Sequence, residues 1–162
     1  METVKTLIFT VLVPGSVVFV FPLLIFGPLE PDTRPYVPFG LVVMLVGAAL
    51  YGWAASAFVR SGRGTPAPID PPQKLVAVGP SRFSRNPMYV AVLLFLAGES
   101  VFLDSRSFLL YLAGVAVLFQ LFIVLYEEPT LRKEFGETYM HYTEAVPRWL
   151  PVNLFGPRKF PT

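Results

Sequence analysis

The chain has 162 residues, 54% of them hydrophobic and 15% charged, and its mean hydropathy is positive. A soluble domain of this size is more polar, so the composition points to a single integral membrane domain of all-α class. There is no cysteine and one histidine, His141, which excludes disulfides, thiolate nucleophiles and Cys- or His-based metal clusters; the net charge of +2 says little about partners by itself, and neither nucleic acid nor a metal is expected among them.

Residues 4–26 are an apolar run long enough to cross a bilayer, which takes about 20 residues. Pro14 and Pro22 should kink it, and no small-residue cleavage pattern follows, so it is expected to be a retained transmembrane helix. The loop over 27–38 holds Glu30, Asp32 and Arg34 and little positive charge. Residues 39–59 are a second span, in which Ala48, Gly52 and Ser56 recur at intervals of four. Small residues so spaced predict close helix packing.

Residues 60–86 form a long loop with Pro66, Pro68, Pro71, Pro72 and Pro80. Prolines at this density hold a chain extended, so the loop should lie over the bundle; it either serves a site or is a plain linker. Its end, residues 79–89, reads Gly-Pro-Ser-Arg-Phe-Ser-Arg-Asn-Pro-Met-Tyr and runs from basic loop into apolar segment. Asn86 suits a helix N-cap and Pro87 the first helical position, which predicts free N–H groups and a positive dipole end beside Arg82 and Arg85.

The third span covers 87–103; its apolar part is only 16 residues, about 24 Å as a helix. A tight connection at 104–107 should make an antiparallel hairpin with the fourth span, 108–126. Glu99, one turn from that connection, is expected to reach back to the outer surface. Gln120 lies seven residues before Glu127, on nearly the same face, and an interhelical hydrogen bond is its simplest role.

Glu127-Glu128-Pro129 then places two carboxylates where a helix C-terminus disfavours them. Two explanations stay open: acids before Pro129 favour the start of the next helix, or they receive a ligand. Residues 129–151 read as an interfacial segment, with Leu131, Phe135, Tyr139 and Tyr142 on one stripe and Trp149 as an anchor. Positive charge gathers in the loop with Arg60, Arg63, Lys74, Arg82 and Arg85 and in the C-terminal region with Arg132, Lys133 and Arg148, which puts both termini in the cytoplasm. A bacterial inner membrane or an equivalent cytoplasm-facing membrane is the expected location. The hairpin would bring arginines and N–H donors of one helix beside carboxylates of the next, a pairing that suits a zwitterionic ligand with hydroxyls.

The ordered set Arg85-Asn86-Pro87-Met88-Tyr89, Glu127-Glu128, Leu131, Phe135-Gly136, Tyr139, Tyr142 and Val146-Pro147 resembles the isoprenylcysteine carboxyl methyltransferase and phospholipid methyltransferase family. The resemblance runs over about residues 62–151. It implies a pocket for S-adenosylmethionine at the cytoplasmic helix ends, a lipophilic acceptor arriving from the bilayer, and membrane lipids as surroundings. It further implies that Gln73, Lys74, Leu75, Val76 and Gly79 line the cofactor. Asn86, Pro87, Met88 and Tyr89 would hold its polar end and Glu127 would take a hydroxyl or the ammonium, with Arg85 and Glu128 counted among the cofactor-binding residues. Asn86 stands where the family often has histidine, so no base near neutral pH is available there. Ile123 stands where the eukaryotic prenylcysteine enzymes have an arginine. Methyl transfer needs chiefly alignment and exclusion of water, so it requires no acid–base dyad. The rival expectations are a nicotinamide-dependent reductase on the same fold, although no Gly-rich dinucleotide motif occurs, and a non-enzymatic scaffold.

Overall fold

The computed structural model describes residues 12–28, 35, 37–61 and 78–149, so Gln73, Lys74, Leu75 and Val76 lie outside the described residues, as do residues 4–11 and most of both interhelical loops before residue 78. Four helices account for nearly all of the described chain: α1 (Leu12–Phe26), α2 (Val37–Ser61), α3 (Pro87–Phe102) and α4 (Arg106–Ala145). No strand occurs among the described residues. In α2 and α4, the two helices long enough to cross a membrane, only 11% and 17% of the most apolar window is buried. Leu24, Leu110 and Leu125 are each more than 70% exposed. Apolar faces left so bare have lipid as their natural solvent, so this is an all-helical membrane bundle.

Helices α2 and α3 pack backbone to backbone. A Cβ added to Gly40 would lie 2.6 Å from Phe102 N, one on Gly47 would lie 2.8 Å from Phe95 N, and one on Gly98 would lie 2.6 Å from Met44 N. Gly40, Gly47 and the buried Ala54 are seven apart and form the contact face of α2. Ala48 and Gly52 are exposed, and nothing stands within 4 Å of a Cβ on Gly52. The sequence pattern therefore identified the right packing device on the wrong face. Intervals of four and of seven both occur in α2, and only the partner helix selects between them.

Two prolines lie inside helices without ending them, by the same means. A π-helical turn at Ser16–Val20 precedes Pro22, and another at Ile123–Glu127 precedes Pro129, each ending two residues before the proline. The wider turn removes the clash between the proline ring and the preceding carbonyls. At Pro22 it leaves one oxygen unserved: in π register the Val17 carbonyl would accept from residue 22, which has no N–H. Tyr111 of α4 donates its hydroxyl to that oxygen at 2.6 Å. At Pro129 the π turn lets α4 continue past the membrane segment, so the expected break between a fourth span and a separate surface helix is absent.

The hairpin between α3 and α4 is as short as expected, with Ser105 Oγ accepting from Phe108 N to start α4. Val92, Leu96, Phe108 and Val115 form the core with Val18 of α1. Glu99 continues the inward stripe of Val92 and Leu96 and is 4% exposed, so it does not reach the outer surface. Position on a helix face, set by i, i+4, i+7 spacing, outweighs closeness to the helix end.

Candidate active site

The start of α3 and the π turn of α4 lie side by side. Tyr89, in the first turn of α3, packs its ring at 4.7 Å from that of Phe119, tilted by 53°, and donates its hydroxyl to Glu127 Oε2 at 2.9 Å. Arg85 Nη1 donates to Glu128 Oε1 at 2.9 Å. The two stretches singled out in the sequence thus meet through two direct contacts between polar side chains.

The approach to α3 is set by the 3-10 turn Gly79–Arg82, which Pro80 ties off by accepting from Phe83 N and Ser84 N. Gly79 adopts φ +56° there and fits against Ala57 of α2. Pro87 opens α3 as expected. Asn86 occupies the N-cap position but makes no side-chain cap; its Nδ2 donates instead to the Arg148 carbonyl at 3.0 Å. Met88 follows on the same first turn.

That carbonyl belongs to a strap, residues 146–149, which returns because α4 turns sharply at Gly136. There φ is 51° and ψ −125°, a conformation that a Cβ would disfavour, and nothing stands within 4 Å of where one would be. The glycine serves the backbone bend, not a close contact. Beyond it Tyr139, Tyr142 and Val146 are buried with Leu131 and Phe135, the stripe read from the sequence. Tyr142 donates to Ser81 O at 2.6 Å, and Arg85 N donates to Pro147 O at 2.9 Å. Trp149 Nε1 donates to Gln120 Oε1 at 2.9 Å, so the partner of Gln120 is the strap and not the neighbouring helix expected from the sequence.

Arg148 is the residue that the sequence reading missed. Its guanidinium grips Glu128 with both prongs, Nε to Oε1 at 2.8 Å and Nη2 to Oε2 at 2.9 Å. The only signal was a cation following Val146-Pro147, and only the bend at Gly136 gives it meaning.

The two adjacent acids are driven apart electrostatically. Burial pushes the Glu128 carboxyl up, but the hydrogen bonds from Arg148 and the charges of Arg85, Arg148 and Arg132 outweigh it and hold Glu128 below the usual carboxylate range. Burial raises Glu127; the Tyr89 hydroxyl offsets part of this, and the neighbouring charge of Glu128 adds to it. The two carboxyls are thus shifted in opposite directions, Glu128 down and Glu127 up. Glu128 also lines an open groove with Val124, Pro129, Arg132 and Lys133. No cluster of three metal-ligating side chains occurs among the described residues.

A model of the phospholipid methyltransferase family matches residues 36–138. The chain belongs to that family. It is accordingly a membrane methyltransferase, and the matched region holds α2, α3, the acid pair and the bend at Gly136. Arg148 and the strap of this methyltransferase lie beyond the match. No curated protein and no solved structure matches the chain.

Proposed function

We propose that the protein transfers a methyl group from S-adenosylmethionine to a lipophilic acceptor that enters from the bilayer. The observation that carries this reading is the junction of Tyr89 with Glu127 and of Arg85 with Glu128, each at 2.9 Å, in a chain of a methyltransferase family. Arg85 Nε is buried at that junction with no acceptor among the described residues, which suits a site built to receive a ligand with acceptor groups. Bound S-adenosylmethionine would supply a sulfonium-activated methyl group.

The chain's own residues hold and shield. Arg85, Asn86, Pro87, Met88 and Tyr89 would form one wall and Glu127 and Glu128 the other, with Gly79 at the edge; Gln73, Lys74, Leu75 and Val76, outside the described residues, remain cofactor residues by the family resemblance alone. Tyr89 and Phe119 present aromatic surface beside Glu127, which keeps water from the seam where an apolar acceptor would lie. The fully buried Ile123 offers nothing to a carboxylate, which argues against an isoprenylcysteine-type acceptor and for one that is read by its apolar part. The proposed topology is multi-pass with both termini in the cytoplasm, the cofactor entering from that side.

The test is incubation of membranes containing the protein with isotopically labelled S-adenosylmethionine, followed by mass spectrometry of the extracted lipids and small lipophiles. A labelled product absent from a Glu127→Ala control supports the reading. Calorimetric binding of NADPH instead of S-adenosylhomocysteine would replace it with the reductase, and binding of neither with the scaffold.

A further inference from the structure

Arg132 follows Glu128 by one turn of α4, the spacing at which an acid and a later cation ordinarily pair. They form no ion pair here, because Arg85 and Arg148 already donate to both Glu128 oxygens, and Arg132 acts on that carboxylate only through space. Lys133 is left over in a similar way. Glu137 follows it by four residues, but the bend at Gly136 lies between them and no ion pair joins them. Both cations are exposed, and neither has a hydrogen-bond or ion-pair partner among the described residues. Arg85, Arg132, Lys133 and Arg148 thus stand against Glu127 and Glu128. Even with both acids counted as anions, positive charge is in excess.

Arg132 and Lys133 line a groove of about 510 Å³ with Val124, Glu128 and Pro129; Glu134 is not part of that lining. The described lining belongs to α4 alone, whereas the seam of the candidate active site lies between α3 and α4. The membrane end of the groove is apolar, since Val124 and Pro129 continue into the exposed Leu121 and Leu125. Because the π turn carries α4 through Pro129, the apolar and basic halves sit on one continuous helix. Arg132 lies about 12 Å of helix beyond Val124, and helical side chains lean toward the N-terminus, here back toward the membrane segment.

We propose that this groove holds an anionic phospholipid, its phosphodiester between Arg132 and Lys133 and its acyl chains along Leu121, Val124 and Leu125. The lipid is a resident ligand and not the methyl acceptor, and its binding goes beyond the methyl-transfer reading and does not depend on it. A zwitterionic headgroup would bring an ammonium to a place already in positive excess, so net negative charge is what the groove selects. A soluble phosphate would meet the cations and leave the apolar half bare, whereas a lipid covers both.

Native mass spectrometry of the full chain, titrated in detergent with phosphatidylglycerol or phosphatidylcholine of the same acyl chains, tests this without any cofactor. Wild type should bind phosphatidylglycerol about tenfold more tightly or better, since each interfacial cation contributes about fivefold. Arg132→Gln and Lys133→Gln should each weaken phosphatidylglycerol about threefold to fivefold and leave phosphatidylcholine within about twofold. Arg106→Gln removes the same charge at an exposed position at the far end of α4 and should leave the preference unchanged. Equal affinity of wild type for the two lipids overturns the assignment, and so does an unchanged preference in Arg132→Gln and Lys133→Gln. An equal loss in all three variants also overturns it, since that marks attraction to overall charge. Glycerophosphoglycerol, the headgroup without acyl chains, should not displace phosphatidylglycerol; displacement would make the groove a site for soluble phosphate esters instead. Should one variant fail to fold, the other decides by the same comparison.

Discussion

Glu127 and Glu128 are neighbours in the chain and differ in what holds their protons, and each difference gives a pH signature. Glu128 has a folded-state pKa below its unfolded value, so its pairing with Arg85 and Arg148 stabilises fully above about pH 4.5, the ordinary carboxylate range, and is lost as pH falls through the depressed value. Glu128→Gln should therefore cost about 2 kcal/mol near neutral pH, with the deficit shrinking in acid; thermal unfolding of both proteins across pH measures it. Glu127 has the opposite sign. Its raised pKa means the folded state holds a proton that the unfolded state releases, a penalty that grows as pH rises above the ordinary carboxylate value. Glu127→Gln, which mimics the neutral acid and keeps an acceptor for Tyr89, should raise the unfolding midpoint more at pH 8 than at pH 5 while abolishing ligand binding. A midpoint that moves equally at both pH values would show that Glu127 is ionised in the fold. Arg85, Asn86, Tyr89 and both acids were legible because each is polar at a seam where the surrounding chain is apolar. Arg148 was not, since surface cations near a membrane are common and only its return to Glu128 sets it apart.

At the scale of elements, four apolar helices and the short α3–α4 connection could be read from hydrophobic run length and turn residues. What could not be read was how prolines and glycines act once neighbours exist. Pro129 looked like a helix start because proline favours that position; a π turn over Ile123–Glu127 instead carries α4 through it. Gly136 carried no structural expectation beyond its place in the family resemblance, yet its backbone angles turn the chain so that Tyr139, Tyr142 and the strap come back to α3. Gly136→Ala should cost about 1–3 kcal/mol, the usual penalty for a side chain in a sparsely populated backbone region, although no contact is lost. Thermal unfolding checks the magnitude. Weaker binding of S-adenosylhomocysteine in the same variant would show that the bend serves the site as well as the fold.

Across the whole molecule, the contacts join the two ends of α3 and α4 that share one face of the hairpin, opposite the turn at Leu103 and Ser105. The proposed topology puts the α3 start, the acid pair and the strap on the cytoplasmic side and that turn on the other. The chain has no cysteine, so single labels report cleanly. In oriented vesicles or spheroplasts, Glu137→Cys should react with a membrane-impermeant maleimide only from the cytoplasmic face and Ser107→Cys only from the outer face; both are exposed positions. Labelling of both from one side would refute the arrangement.

The hydroxyl of Tyr111 reaches the Val17 oxygen across 94 positions of sequence. In the proposed multi-pass topology, α1 without Tyr111 would carry a bare peptide oxygen in hydrocarbon, a defect that costs several kcal/mol in such a medium. On that topology the last helix completes the first, so α1 is fully satisfied only in the assembled bundle.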